Sequence, residues 1–163
     1  MNAKQALQSS IDMSWQVLNK YLDDLSDADL MLRPGPGCNH IAWQLGHLLV
    51  AEVGLLSSIC PGEAAELPAG FAEQHNKEAA PSDDPAKFCT KQQYLDLAQK
   101  VRSATSAALE KKSEADLDLP GPEQYKTMFP TVGSLFVVIG SHPLMHAGQL
   151  VPIRRALGKP IVM

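Results

Sequence analysis

The sequence predicts an all-α protein, a four-helix bundle with a long crossover between helices 2 and 3. Four segments carry apolar residues at the three- and four-residue spacing of helices. We find no alternation of polar and apolar residues bounded by hairpin turns, which strands would show. Two long connections, residues 61–89 and 113–130, separate the segments, as in bundles with crossover connections. A chain of 163 residues fits one domain, so we expect residues 1–163 to form a single bundle.

The first two helices are predicted from apolar spacing and from turn residues. Leucine and isoleucine recur at spacings of three, four or seven over residues 3–25, which places them along one stripe of a helix. The sequence RPGPG at 33–37 cannot continue that helix. A second helix is predicted from His40 to Ile59, with Asn39 as its N-cap. Its nearly uniform apolar character indicates that it is buried.

The third helix follows the crossover, residues 61–89, which is rich in Pro, Glu, Ala and Asp. A connection of this length can carry the chain across the whole bundle, and we expect in it only a short helix near 71–80. Thr90 and Gln93 have the T-x-x-Q spacing of a capping box. The third helix is therefore predicted to begin there and to run to about Lys112.

The last helix is predicted over residues 131–157, where Gly158 supplies a C-cap. Pro143 and Pro152 interrupt this segment, and each lacks the N–H that a helix interior requires. The helix is either kinked at these points, or it breaks and restarts with Pro143 at its favoured first position. The sequence leaves both alternatives open.

Composition narrows the classes of partner. The net charge is −4 and the basic residues are scattered, so we expect no nucleic-acid binding. Three well-separated cysteines argue against a disulfide framework and a cysteine-rich zinc site, and indicate free thiols. The N-terminus lacks the apolar core of a signal peptide, and no apolar run approaches the roughly 20 residues of a membrane span. We therefore expect a cytoplasmic protein without membrane association.

The histidines are the candidate functional residues. His142 and His146 are four residues apart, so on a continuous helix both imidazoles leave the same face and can chelate one ion. His47 lies within the apolar second helix. If that helix faces the last one, the three imidazoles form an open N₃ site with water in the remaining position. The alternative is that each is a hydrogen-bonded core residue. His40 is predicted to be exposed or capping, and His75 to be a solvated surface residue.

Four other residues are candidates for supporting roles. Glu52 lies about 140° around the helix from His47, so we interpret it as a surface or interface carboxylate. Gln149, three residues after His146, either orients a ligand or packs at a helix contact. Tyr125 and Lys126, in the loop before the last helix, are candidates for a lid.

Two segments resemble the DinB-like (damage-inducible B) superfamily. In FPTVGSLFVVIGSHPLMHAGQLVPIRRALGKP the resemblance depends on His142, on HAGQ from His146, on the paired arginines and on GKP. The segment LSDADLMLRPGPGCNHIAWQLGHLLVAE resembles the family's turn and second helix around its first histidine. The separation of the two segments fits as well, so the resemblance covers essentially the whole chain. Pro143, between the last two histidines, departs from the family's pattern.

The resemblance implies a four-helix bundle with a crossover and one divalent metal ion, commonly zinc or nickel, ligated by His47, His142 and His146. It implies a metal-dependent hydrolase that acts on a small molecule through metal-bound water. One alternative is a thiol-dependent S-transferase or isomerase that uses a low-molecular-weight thiol on the same site. Another is a non-catalytic, stress-associated module in which the ion staples two helices. The apolar second helix also predicts a homodimer.

Overall fold

The computed structural model describes residues 1–161, and over these residues it is all-helical, which confirms the predicted fold class. Two short 3₁₀ turns lie in the connections. The α-helices, in chain order, are α1 (Ala3–Leu22), α2 (Ile41–Ile59), α3 (Phe71–Gln74), α4 (Lys91–Glu110), α5 (Glu114–Leu117) and α6 (Val132–Ala156).

The four long helices α1, α2, α4 and α6 pack in a ring: α1 on α6, α6 on α2, α2 on α4 and α4 on α1. Contacts at the helix ends give their directions. Lys4 at the start of α1 binds the backbone carbonyl of Glu110 at the end of α4, so these two helices are antiparallel. Arg154 at the end of α6 binds the carbonyl of Tyr21 at the end of α1, so α6 runs parallel to α1.

The crossover runs the length of the bundle, as predicted. Glu63 and Lys111, which follow the last turns of α2 and α4, form an ion pair. The two helices are therefore parallel, and the chain between them must return from the end of α2 to the start of α4. The short helix expected in the crossover is present, but it covers only Phe71–Gln74.

Side-chain caps set the starts of the later helices. Thr90 and Gln93 form the predicted capping box of α4. Thr131 and Ser134 form another at the start of α6, which continues without a break through Pro143 and Pro152. The break and restart at Pro143, one of the two alternatives left open by the sequence, is therefore excluded. His142 and His146 share a face of one continuous helix.

The predicted cap of α2 is wrong by one residue. His40, not Asn39, is the N-cap, because its Nδ1 accepts from the backbone N–H of Trp43 at 3.0 Å. The side chain of His40 is fully buried, so of its two expected roles the capping one is confirmed and the exposed one is wrong. The backbone carbonyl of Asn39 accepts instead from the side-chain amide of Gln44 at 2.7 Å.

Two apolar clusters fill the bundle and a polar layer separates them. One cluster includes Trp15, Leu49 and Leu150, and the other includes Leu56 and Phe136. Between the two clusters, each long helix contributes one buried polar side chain. Burial of a polar group costs free energy unless the group forms a hydrogen bond. The members of this polar layer are Ser14, Glu52, Thr105 and His146.

The expectations of free thiols and of no membrane span have different outcomes. Cys38, Cys60 and Cys89 are all free thiols, as predicted. In contrast to the sequence expectation, α2 is long and apolar enough to qualify as a membrane span by length and composition. Of its most apolar window, 56% is buried inside the bundle, and a core helix passes the same test.

Candidate metal centre

The antiparallel helices α2 and α6 bring three imidazoles together. His47 projects from the middle of α2, and His142 and His146 project from successive turns of α6. One potential ligand atom from each residue lies within 4.8 Å of the other two. Nε2 of His142 and Nε2 of His146 are 3.2 Å apart. Two imidazoles that bind one zinc ion at about 2.0–2.1 Å place their nitrogens roughly 3.0–3.4 Å apart, so the pair fits a shared ion.

Burial keeps these imidazoles neutral. His146 is 8% exposed, and His47 and His142 are half-buried. Loss of hydration and, to a lesser extent, the neighbouring His47 together lower the pKa of His142 to about 4. The same loss of hydration, together with both neighbours, lowers the pKa of His146 to about 4. Burial also lowers the pKa of His47. Near neutral pH each ring therefore carries a free lone pair, the form that binds a cation.

Gln44 fixes the orientation of His146. Its Oε1 accepts from Nδ1–H of His146 at 2.9 Å, and its Nε2 donates to the carbonyl of Asn39 at 2.7 Å. With the proton on Nδ1, the lone pair of His146 is on Nε2 and points at His142. Sequence reasoning missed Gln44, and its signal is a lone amide three residues before His47 in an apolar helix. Gln149, the predicted candidate for this role, is exposed.

Trp43 supports His47. The indole and the imidazole are stacked, with centroids 4.9 Å apart and an angle of 5° between their planes. Nε1–H of Trp43 donates to the carbonyl of Asn76 in the crossover at 2.8 Å. The ring of one candidate ligand therefore packs on an indole that is itself hydrogen-bonded to the crossover.

Comparison with known proteins assigns the family. The sequence model of the DinB superfamily matches residues 10–150, which include all three histidines. The chain belongs to the DinB superfamily. A solved structure of a conserved protein from Enterococcus faecalis has the same fold, with a TM-score of 0.73 over 98% of this chain and 99% of that chain. The two sequences are 18% identical, so this likeness shows the fold alone. No curated protein matches the chain.

In this DinB superfamily protein His75 is not the solvated residue that the sequence predicts. It is 2% exposed, and its ring is 4.3 Å from that of Phe71. Its Nδ1–H donates to the carbonyl of Phe71 and its Nε2 accepts from the hydroxyl of Tyr94, each at 2.7 Å. The prediction failed because the crossover, although polar in composition, folds back over α2 and buries this side chain.

Glu52 is likewise buried, so the surface interpretation is wrong. Its carboxylate accepts from Nη1 of Arg102 at 2.9 and 3.0 Å and from the hydroxyl of Thr105 at 2.6 Å. These partners lie on α4, whereas His142 and His146 lie on α6. Glu52 is thus an internal helix-interface residue, and its carboxylate is already satisfied.

The predicted lid residues, Tyr125 and Lys126, lie in the loop before the start of α6. Tyr125 and Lys126 precede the first residue of that helix, and His142 lies ten residues further on, about 15 Å along the axis. Hydrogen bonds from Gly121 and Val132 tie the loop to the start of α6. A role for Tyr125 or Lys126 as a lid therefore stays a prediction.

The donor set of this DinB superfamily site fits a borderline divalent ion. Within residues 1–161 the cluster is formed by His47, His142 and His146, without a carboxylate or a thiol. Imidazole nitrogens suit zinc, nickel, copper and iron, whereas magnesium and calcium prefer oxygen ligands. The residues present could hold such an ion with three protein ligands, which leaves a coordination position for a small molecule.

Proposed function

We propose that this protein is a metal-dependent hydrolase that holds one zinc or nickel ion on His47, His142 and His146 and acts on a small-molecule substrate. The observation that supports the proposal is the cluster of three neutral imidazoles with ligand atoms within 4.8 Å of one another. A divalent ion with three neutral ligands keeps its full charge and ionises water near neutral pH. Membership of the DinB superfamily is consistent with a metal-binding role.

The protein's own residues contribute orientation and access. Gln44 holds His146 in the tautomer whose Nε2 is free to ligate. His146 is buried, whereas His47 and His142 are only partly covered, so a substrate would approach from the side of these two rings. Three protein ligands are the number found in catalytic zinc sites, since structural sites have four.

One observation favours a second candidate, a thiol-dependent transferase or isomerase on the same site. A hydrolase normally positions an acid or base within hydrogen-bond reach of the reacting water. Glu52, the one carboxylate of α2, is engaged by Arg102 and Thr105 instead. A low-molecular-weight thiol bound as thiolate is already a nucleophile and needs no such base.

Metal content tests the shared part of both candidates. Untagged protein is purified without chelators and its metal is measured by mass spectrometry, alongside His146→Ala and the exposed control Gln149→Ala. We expect about one zinc or nickel ion per chain in the parent and in the control, and loss of the ion in His146→Ala. A parent protein that neither retains nor takes up either ion would contradict the proposal.

Turnover by the loaded protein then separates the candidates. A panel of esters, amides and alkylating electrophiles is assayed with and without a low-molecular-weight thiol. Metal-dependent hydrolysis without thiol supports the hydrolase, and a requirement for both metal and thiol supports the transferase. If the ion raises the melting temperature but no reaction occurs under either condition, the site is a non-catalytic staple between α2 and α6.

A further inference from the structure

We propose that the crossover between α2 and α4 sets the orientation of the His47 imidazole, with Trp43 and His75 as positioning residues of the three-histidine site. This inference deepens the proposed function and rests on it for its effect on metal affinity. One of its readouts is independent of any metal ion.

The stack on Trp43 is what fixes the ring of His47. Among the described residues no hydrogen bond holds either nitrogen of His47, in contrast to His146 with its Gln44 partner. An imidazole on a helix otherwise rotates freely about its terminal torsion, which is broad. The nearly parallel indole, 4.9 Å away, restricts this rotation and so directs the ring edge towards α6.

The crossover holds the indole in turn. Nε1–H of Trp43 donates to the carbonyl of Asn76 at 2.8 Å. Asn76 forms a local turn of its own, since its Oδ1 accepts from the backbone N–H of Ala79 at 2.9 Å. A displacement of this turn would therefore move the indole, and with it the surface on which His47 rests.

His75 packs the turn at Asn76 against α2. A Cβ atom built on Gly46 would lie 1.9 Å from Cδ2 of His75, so the imidazole packs directly on the helix backbone one residue before His47. Only glycine leaves this space. Hydrogen bonds to Phe71 and Tyr94 use both nitrogens of His75, which anchors the crossover to α4 as well. Since Asn76 follows His75 in the chain, the position of its carbonyl depends on this packing.

The experiment uses the full chain and three variants on α2. Gly46→Ala displaces His75, and Trp43→Phe keeps an aromatic ring but removes the hydrogen bond to Asn76. Gly54→Ala is the matched control, because a Cβ at that position meets open space. Two quantities are measured: zinc affinity by competition with a chromophoric chelator, and the NMR shifts of the His47 ring protons in metal-free protein.

We expect zinc affinity to fall about 10- to 100-fold in Gly46→Ala and about 10-fold in Trp43→Phe, the range found for residues that orient metal ligands. In Gly46→Ala, which keeps the indole, the His47 ring protons should lose much of the upfield shift that the stacked indole produces in the parent. Gly54→Ala should match the parent in both measurements. Trp43→Phe decides the matter if Gly46→Ala does not fold by circular dichroism.

Two outcomes separate this inference from the function it rests on. Unchanged zinc affinity in folded Trp43→Phe, or unchanged ring shifts in folded Gly46→Ala, which keeps the indole, would overturn the positioning role while leaving the metal site intact. A parent protein without zinc affinity would contradict the proposed function. In that case the ring shifts of metal-free Gly46→Ala still decide whether the crossover orients His47.

Discussion

Two polar groups on α2, the buried Glu52 and the half-buried His47, meet different partners. Glu52 faces α4, where Arg102 supplies the opposite charge and Thr105 a further hydrogen bond. His47 faces α6, where it meets two more imidazoles. The two positions are five residues apart, about 140° around the helix, so one helix serves two neighbours.

The difference between them distinguishes a structural network from a candidate site. In the network around Glu52, acceptors and donors of opposite charge satisfy one another, as a buried carboxylate requires. In the histidine cluster, Nε2 of His142 and Nε2 of His146 are 3.2 Å apart. Burial and mutual repulsion keep these rings neutral. The carboxylate of Glu52 already has its counter-ion, whereas a cation would complete the histidine cluster.

The largest effect is expected from a variant that disrupts the Glu52 network and leaves the histidine cluster intact. Arg102→Met should destabilise the protein by about 3–5 kcal/mol, because it leaves the buried carboxylate of Glu52 without its counter-ion. Urea unfolding measures this loss. Lys100→Met, an exposed neighbour on α4, should change stability by less than about 0.5 kcal/mol. Zinc affinity of folded Arg102→Met should equal that of the parent, and a loss comparable to that of His146→Ala would show that the two regions are coupled.

The second prediction concerns acid and the histidine cluster. His142 and His146 have folded-state pKa values of about 4, below the 6.5 of the unfolded chain. As the pH falls, the unfolded chain therefore binds protons first, so their contribution is complete above pH 6.5 and is lost between about 6.5 and 4. We expect metal-free protein to lose on the order of 2 kcal/mol in this window, after allowance for partial exposure.

Urea midpoints at pH 7.5 and pH 5.0 measure that loss. His142→Gln should reduce the pH dependence, because one of the two titrating groups is then absent. An identical dependence in parent and variant would show that the cluster does not produce it.

The smallest predicted effect separates orientation from ligation. Gln44→Ala removes the acceptor for Nδ1–H of His146 without removing a ligand. Zinc affinity should fall about 10-fold, equivalent to about 1.4 kcal/mol. Gln149→Ala is the exposed amide control and should leave affinity unchanged. An unaltered affinity in Gln44→Ala would mean that the tautomer of His146 is set by the ion alone.

The predictions that the structure confirms concern elements whose sequence signal lies within a few neighbouring residues. The capping box of Thr90 and Gln93 and the periodicity of α4 involve residues within four positions of each other, so the sequence alone reveals them. The shared helix face of His142 and His146 is a local signal of the same kind, and the continuous α6 confirms it. The predictions for His75 and for the surface alternative of Glu52 failed, because their environments come from other helices.

The sequence by itself determined the all-α class, the approximate helices and the shared helix face of His142 and His146, because helical spacing and capping depend on neighbours in the chain. Only the tertiary structure decided which side chains support them. Gln44 binds a residue 102 positions away, and Glu52 pairs with one 50 positions away. The crossover places a histidine against a bare glycine of α2. Such contacts depend on helix direction and packing, and the spacing of residues along the chain does not encode either one locally.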